Sequence, residues 1–249
     1  MTGVAKNTVT HLLVEVGAAC LGYQNEHLTG LSCQRIQCDE IWSFVYAKEK
    51  NLTQAIVDKQ IAGSVWTWTA IDADTKLVPC WLIGQRDAGS ATEFIQDLAS
   101  RLTHRVQITT DGLKVYLNAI GDAFGGEVDY AILHKVYGKE RPDAARYSPA
   151  ACIGTKKLDM IGDPDRDHVS TSYVERANLT MRMSMRRFTR LTNAFSKKIE
   201  NHAAAVALYF MWYNFGRVHQ TLKMTPAMKA GIAAKPWTVE EILALADSN

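Results

Sequence analysis

The sequence predicts an α/β fold in which a mixed β-sheet is flanked by helices. Two observations support this prediction. Segments with strand-like composition come first and are followed by alternating strand and helix patterns. The chain, with 249 residues, is also long enough to bury one large core. Apolar residues make up 47% of the chain and charged residues 22%, which is ordinary for a globular protein.

The first half of the chain begins with a helical pattern at residues 8–16, with Asn7 or Thr8 near its N-cap. Runs rich in β-branched and aromatic residues then predict three strands, at residues 36–45, 65–71 and 77–84. The sequence Asp-Ala-Asp-Thr-Lys at residues 72–76 is typical of a turn, so the second and third strands are expected to form a hairpin.

The middle of the chain alternates between the two patterns. Helices are predicted at residues 91–102 and through Ala123, and strands at residues 106–109 and 128–133. No sustained period follows between His134 and His168, which predicts an irregular insertion at about residues 134–170. Helices are expected again at residues 173–191, 197–215, from Thr225 and at 238–245. This order of elements is typical of a ribonuclease-H-like sheet.

Composition also argues against several classes of protein. The longest apolar stretches, such as residues 203–213, are too short to span a bilayer, and no charged segment followed by an apolar run indicates a secretory signal. The five cysteines are odd in number and lack a Cys-x-x-Cys pair, which argues against a disulfide framework and a zinc ribbon. A reducing, cytoplasmic setting is therefore expected.

Positive charge is concentrated in one stretch of the chain. Between Arg176 and Arg217 there are eight Lys or Arg residues and one acid, Glu200. Such a stretch can form a solvated helix face, or it can bind an anionic partner such as nucleic acid. The position of the stretch directly after Glu175, a candidate catalytic residue, favours nucleic acid.

Three acidic residues are candidates for metal-dependent phosphodiester chemistry, which needs carboxylates on rigid elements to hold divalent ions. Asp39 lies within the first predicted strand, where burying a charge is costly unless it coordinates something. Alternation places Glu40 on the opposite face, so only one of these two acids is expected in a given site. The alternative is that either residue lies at an exposed strand edge.

Asp111 and Glu175 each have a local explanation as well as a functional one. Asp111 follows a short strand, where sheet enzymes commonly place ligands, but Asp-Gly is also a plain turn. Glu175 ends the sequence Ser-Tyr-Val-Glu, which fits a capping box at a helix start. On the predicted helix, Glu175, Arg182 and Arg186 line one face beside an apolar stripe, as a DNA-cutting helix requires.

These carboxylate contexts resemble those of the insertion-sequence DDE transposases. The resemblance rests on Asp-Glu-Ile-Trp-Ser-Phe-Val from Asp39, on Thr-Asp-Gly around Asp111, and on Tyr-Val-Glu-Arg-Ala-Asn-Leu-Thr-Met-Arg around Glu175. Residues 213–222, with Thr225 and Pro226, are similar to the end of integrase-like catalytic cores. The similarity covers roughly residues 35–231 and is closest to the first numbered family of bacterial insertion sequences.

The resemblance implies a ribonuclease-H-like core in which Asp39, Asp111 and Glu175 bind two Mg²⁺ ions, with Mn²⁺ as a substitute. It implies nicking at the ends of a mobile element, followed by attack of the freed 3′-hydroxyl on target DNA. Phosphate-binding residues are expected in the basic stretch: Arg182, Arg186, Arg187, Arg190, Lys197 and Lys198. A homodimer or larger assembly on DNA is expected, in a bacterial cytoplasm at the nucleoid, without a membrane partner.

Three regions follow from this interpretation. Residues 1–30 are a small helical remnant, in which residues 3–9 resemble the turn and recognition helix of a helix-turn-helix. Residues 31–231 are the catalytic core, and residues 232–249 are a C-terminal helix. Two other functions stay open: a structure-selective nuclease of the same fold, and a non-catalytic DNA-binding regulator derived from a transposase.

Overall fold

The computed structural model describes residues 3–53, 63–138, 152–189 and 193–248. In this part of the chain the strands are β1 Arg35–Val45, β2 Gly63–Asp72, β3 Trp81–Gly84, β4 Val106–Thr110, β5 Val128–Tyr137 and β6 Cys152–Ile161. The helices are α1 Lys6–His27, α2 Ala88–Arg101, α3 Val115–Phe124, α4 Ser172–Ser184, α5 Ile199–Met211, α6 Pro226–Lys229 and α7 Val239–Leu243.

The strands form one mixed sheet in the order β3-β2-β1-β4-β5-β6. Antiparallel pairing joins β1 to β2 and β2 to β3, whereas β4 runs parallel to β1 and β5 runs parallel to β4. A parallel neighbour requires a crossover connection, and α2 and α3 provide it before β4 and β5. This is the ribonuclease-H-like α/β fold, and the predicted fold class is confirmed.

Strand β1 lies inside the sheet and divides the interior into two hydrophobic cores. Cys38 is fully buried in the larger core, together with side chains from α1, α2 and α3. Ile41 is fully buried in the other core, with Val174 and Met181 of α4 and Val206 of α5. The alternation of β1 side chains therefore aims even-numbered residues at α2 and α3, and odd-numbered residues at α4.

The prediction of an irregular stretch between His134 and His168 is wrong for residues 152–161. These residues form β6, which pairs antiparallel with β5, and β5 itself extends to Tyr137. Most β6 side chains are exposed, so the strand has no buried face to produce a period-two hydrophobic pattern. Its conformation depends on backbone pairing with β5, which the local sequence does not reveal.

Helix α4 is shorter than predicted. It ends at Ser184, and Met185 adopts an extended conformation (φ −116°, ψ 106°) before a single 3₁₀ turn at Arg186–Phe188. After this bend Phe188 is only 2% exposed and lies in the core that contains Ile41. Arg186 consequently leaves the helical face that was predicted to carry it beyond Glu175.

The predicted N-terminal helix is one continuous element of 22 residues, α1, which packs against α5. Gly17 of α1 approaches α5 so closely that an added Cβ would lie 2.5 Å from the Cα atom of Ala204. A DNA-reading role for residues 1–30 stays a prediction. Within the described residues, every helix is too short or too polar to cross a membrane.

Candidate active site

The candidate site lies where β1 and β4 separate. The two parallel strands pair only through Arg35 with Gln107, Ile36 with Ile108 and Gln37 with Thr109. Strand β1 continues for several residues beyond this pairing, whereas β4 ends at Thr110. The edge of β1 that faces β4 is therefore open at Asp39 and Glu40, and Asp111 follows the end of β4 beside this opening.

Asp39, Glu40 and Asp111 form an acidic cluster in which one carboxylate oxygen of each residue lies within 4.8 Å of the others. The prediction that only one of Asp39 and Glu40 can join a given site is wrong. Their side chains do leave β1 on opposite faces, but on the β4 side of β1 no paired strand separates the two faces at this position. Both carboxylates therefore reach the space beside Asp111.

Asp39 is oriented by helix α4. Its Oδ2 atom accepts a hydrogen bond of 2.9 Å from Nδ2 of Asn178. Burial, followed by the charges of Glu40 and Asp111, raises the pKa of Asp39 to about 7. A carboxyl group crowded by two others in this way gains from a bound cation, because the cation offsets both the burial and the repulsion.

Glu40 is held on the other face of the sheet. Its Oε1 atom accepts a 2.8 Å hydrogen bond from Nε of Arg86, and its Oε2 atom accepts a 3.2 Å bond from the hydroxyl of Tyr116. The side chain is 1% exposed. Burial, and then the charge of Asp111, raises the pKa of Glu40 despite these partners. Both oxygens of Glu40 are thus already engaged by protein groups.

The sequence suggested that Asp111 either forms a turn or belongs to a site, and in the structure it does both. Its Oδ1 atom accepts a 2.9 Å hydrogen bond from the backbone N–H of Leu113, which is a local turn interaction. The other face of the turn approaches β5, since a Cβ added to Gly112 would lie 3.0 Å from Nδ1 of His134. A side chain at position 112 would therefore press against the ring of His134, which would have to shift by a few tenths of an ångström.

The start of α4 is capped by β1 rather than by its own capping box. Oε1 of Gln37 accepts hydrogen bonds from the backbone N–H groups of Tyr173 and Val174, at 2.8 and 3.2 Å. The predicted box between Ser172 and Glu175 is absent, because the N–H of Glu175 bonds the backbone oxygen of Thr171 and the N–H of Ser172 bonds Oγ of Ser170. The carboxylate of Glu175 is consequently available for other contacts.

Glu175 lies outside the acidic cluster of the described residues. Its carboxylate forms an ion pair with Lys135 of β5 and accepts a 2.6 Å hydrogen bond from the hydroxyl of Thr171. The side chain is 41% exposed. Asn178, one helical turn later, touches Asp39, so Glu175 projects from the face of α4 that borders the cluster.

The donor set fits a hard divalent cation. Carboxylate oxygens are the ligands that Mg²⁺ and Mn²⁺ prefer, and the cluster brings three of them together. No cysteine or histidine belongs to this cluster in the described part of the chain, which argues against a zinc-type site. The acidic cluster can therefore hold a metal of the magnesium class.

The predicted DNA-binding residues are not all equivalent. Arg186, Lys197 and Lys198 are exposed and Arg182 is partly buried. Arg187 donates a 2.9 Å hydrogen bond to Oγ of Ser196, and burial lowers its pKa. A groove of about 800 Å³ between the starts of α1 and α5 is lined by five basic residues and two acids: Lys6, His11, Arg187, Lys197, Lys198, Glu15 and Glu200. Arg190 lies outside the described residues.

Sequence reasoning missed Gln37, Glu40, Asn178 and Lys135 as parts of the site. A signal existed for Asn178, which follows Glu175 by three residues and therefore shares its helical face. A signal also existed for Gln37, a polar residue at an odd position of the buried strand β1. The ion pair of Lys135 with Glu175 had no such signal, because it depends on how β5 sits beside α4.

Comparison with known proteins supports the resemblance seen in the sequence. Residues 60–140 match a family model described as a DDE domain, of the IS240 transposase type. This match includes Asp111 but neither Asp39 nor Glu175, and it covers about a third of the chain. The resemblance to DDE transposases is thereby confirmed, and the finer placement in the first numbered insertion-sequence family stays a prediction.

No curated protein matches the chain. Among solved structures, a piggyBac transposase synaptic complex with hairpin DNA is similar at 12% sequence identity with a TM-score of 0.32. The similarity covers 87% of this chain and 52% of that transposase. The chain thus spans about half the length of the piggyBac transposase.

Proposed function

We propose that the protein is a transposase that cleaves DNA and transfers the cut strand to a target in a reaction dependent on a divalent metal. The observation that carries this proposal is the meeting of Asp39 and Asp111 at the open edge of the sheet, beside the helix that bears Glu175. The family match at residues 60–140 supports the same class of activity.

Asp39, Asp111 and Glu175 are the proposed metal-binding carboxylates. When bound, a pair of Mg²⁺ ions, or Mn²⁺ in their place, stabilises charge on the attacking and leaving oxygens of a phosphodiester. Asp39 and Asp111 already face one another. Asn178 fixes the orientation of Asp39, and the turn N–H of Leu113 fixes that of Asp111.

Glu175 is a better candidate than Glu40 for the third metal ligand, because the two carboxylates differ in the groups that they already bind. Glu40 is buried and uses both oxygens for Arg86 and Tyr116, which makes it a residue that positions the neighbouring acids. Glu175 is partly exposed, and its charged partner Lys135 has a long, flexible side chain. Joining the metal requires Glu175 to exchange this ion pair for the cation.

DNA is the proposed partner, both as the ends of a mobile element and as the target. The exposed cations Arg186, Lys197 and Lys198, with Arg182 on α4, offer contacts to phosphates. Arg187 is better explained as a buried support for Ser196. Assembly as a dimer or larger complex on DNA stays a prediction of the resemblance.

Nicking of supercoiled plasmid in Mg²⁺, together with joining of a supplied pre-cut 3′-hydroxyl end, tests this function. We expect Asp111→Asn and Glu175→Gln each to lower both activities by more than about 100-fold. Residues that only support a metal ligand typically cost about 10–100-fold, and Glu40→Gln is expected in this range. Asp122→Asn, at an exposed acid of α3, is the control and should retain activity.

Each outcome of this assay has a definite meaning. Equal nicking by the wild-type protein and Asp111→Asn contradicts a catalytic role for the cluster. A severe loss in Glu40→Gln with activity retained in Glu175→Gln makes Glu40 the third ligand instead. Nicking without joining of the 3′-hydroxyl end identifies a nuclease rather than a transposase.

A further inference from the structure

A pocket lined by basic residues lies on the opposite side of α4 from the acidic cluster. This pocket, of about 300 Å³, is enclosed by α4, the turn between β2 and β3, and residues 217–221. Its walls carry three cations, a histidine and two aromatic rings: Lys76, Arg176, Arg217, His219, Tyr173 and Tyr213. None of the described residues that line it is acidic.

The cations of this pocket have no carboxylate partner within 4.0 Å among the described residues. Lys76 is only 8% exposed, and its ammonium group lies 3.2 Å from the centre of the Tyr173 ring. Burial, then the charges of Lys76 and Arg217, lower the pKa of His219. The pocket therefore concentrates positive charge that a bound anion would neutralise.

Hydrogen bonds between distant segments of the chain fix the backbone around the pocket. The side chain of Asn214 hydrogen-bonds both the N–H and the C=O of Val78, at 3.0 and 2.9 Å, which ties the segment before Arg217 to the β2–β3 connection. Asp72 accepts a 2.9 Å hydrogen bond from the backbone N–H of Thr75 and shapes the turn that presents Lys76. The backbone segments that carry Lys76 and Arg217 are thus tied together without a ligand.

Helix α4 separates the two sites. Asn178 and Glu175 face the acidic cluster and its surroundings, whereas Tyr173, Arg176 and Thr180 face the pocket. An α-helix with its side chains is about 10–12 Å wide. One nucleic-acid strand advances about 3.4 Å per nucleotide, so a strand leaving the acidic cluster crosses α4 in about three nucleotides.

We propose that this pocket binds a backbone phosphate of DNA about three nucleotides from the scissile position. Arg176 and Arg217 contact the phosphate, and Tyr173 and Tyr213 pack against the adjoining sugar. The cavity is larger than a free phosphate ion requires and lies at the lower limit for small organic ligands. This inference rests on the proposed action on DNA.

Salt dependence of DNA binding tests the inference without catalysis. Affinity for a fluorescein-labelled duplex is measured in EDTA between about 50 and 200 mM salt, for Arg176→Gln, Arg217→Gln and the double variant. Loss of one phosphate contact flattens the plot of log affinity against log salt by about 0.9. Because both arginines contact the same phosphate, we expect a partial flattening in each single variant and a flattening of about 0.9 in the double variant.

Lys229→Gln is the matched control, because it removes one exposed positive charge outside the pocket. It should leave the slope unchanged. The proposal that the pocket binds a DNA phosphate is overturned if both single variants keep the wild-type slope. It is also overturned if Lys229→Gln flattens the slope as much as the pocket variants do. Phosphate binding in calorimetry that is lost in Arg217→Gln, with DNA slopes unchanged, shows a site for free phosphate and also overturns it. Absence of DNA binding by the wild-type protein contradicts the proposed function itself.

Discussion

Asp39 and His202 are both buried ionisable residues, and burial moves their pKa values in opposite directions. Burial and two neighbouring carboxylates raise the pKa of Asp39 to about 7. Burial, and to a lesser extent Arg187, lowers the pKa of His202 to about 4. The first residue favours a bound cation, whereas the second favours a neutral imidazole in the folded core.

His202 links three parts of the fold through hydrogen bonds. Its Nε2 atom lies 3.2 Å from Oγ of Ser43 in β1, and its Nδ1 atom lies 2.9 Å from Oγ of Ser196. Ser196 also accepts a hydrogen bond from Arg187. A second proton on the imidazole would add a charge to this buried network next to a guanidinium group.

We therefore predict that His202 makes stability depend on pH. Its folded pKa of about 4 lies below the unfolded value near 6.5, so the unfolded state binds more protons between these values. The contribution of His202 to the free energy of unfolding is fully present above about pH 6.5. It is lost as the pH falls to about 4, and the total loss is up to about 3 kcal/mol. Urea unfolding across this range checks it.

His202→Gln should show a shallower loss of stability with falling pH than the wild-type protein. His104→Gln, at an exposed histidine, is the control and should keep the wild-type slope. Parallel curves for the wild-type protein and His202→Gln would contradict the prediction.

At the scale of elements, close contact between helices decides where α1 lies. Gly17 of α1 meets Ala204 of α5 with no room for a side chain, since an added Cβ would lie 2.5 Å from both Cα and Cβ of Ala204. Gly22 is in the same helix, but an added Cβ there would meet no atom within 4 Å. Substitution of Gly17 therefore tests helix packing, whereas substitution of Gly22 tests helix propensity.

We predict opposite effects for the same substitution at these two positions. Gly17→Ala should lower the free energy of unfolding by about 1–3 kcal/mol, because the helices must move apart. Gly22→Ala should raise it by about 0.5–1 kcal/mol, because alanine favours the helix. Chemical denaturation measures both. Equal or greater stability of Gly17→Ala relative to Gly22→Ala would show that the α1–α5 contact is not tight.

Element boundaries show where local sequence patterns stop being sufficient. The Ser172–Glu175 pattern predicts a capping box, but Gln37 supplies the cap from β1. Residues 186–188 fit a helical stripe, yet the chain leaves α4 at Ser184 and Phe188 lies in the core. In both cases a contact with a distant part of the chain changes the local structure, and the nearby sequence does not identify that contact.

At the scale of the whole molecule, we predict that the proposed metal site makes the stability of the fold depend on a divalent metal. A cation that binds only the folded state stabilises it by about 2.7 kcal/mol when its concentration is 100 times the dissociation constant. For a chain of this length we expect the melting temperature to rise by about 2–4 °C for each kcal/mol. The reason is relief of the repulsion among Asp39, Glu40 and Asp111.

Differential scanning calorimetry with and without Mg²⁺ or Mn²⁺ measures this effect. Asp111→Asn should melt at the same temperature with or without the metal, because it lacks one of the proposed ligands. An equal rise in Asp111→Asn and in the wild-type protein would place the responsible metal elsewhere.

Local patterns were sufficient to predict the fold class and to select Asp39 and Asp111 as candidate ligands. The order of strand and helix patterns predicted a ribonuclease-H-like sheet, and the parallel pairing of β4 with β1 brings Asp111 beside Asp39. These inferences succeed because they depend on local periodicity and on connection rules that hold across α/β folds.

The tertiary structure alone decided which groups meet. Glu40 joins the cluster because β4 ends where β1 continues, Glu175 pairs with Lys135 because β5 runs beside α4, and β6 forms because β5 offers an edge. The basic pocket likewise joins Lys76, Arg176 and Arg217, which lie far apart in the chain. Such contacts depend on three-dimensional packing, and the local sequence around one residue does not identify its distant partner.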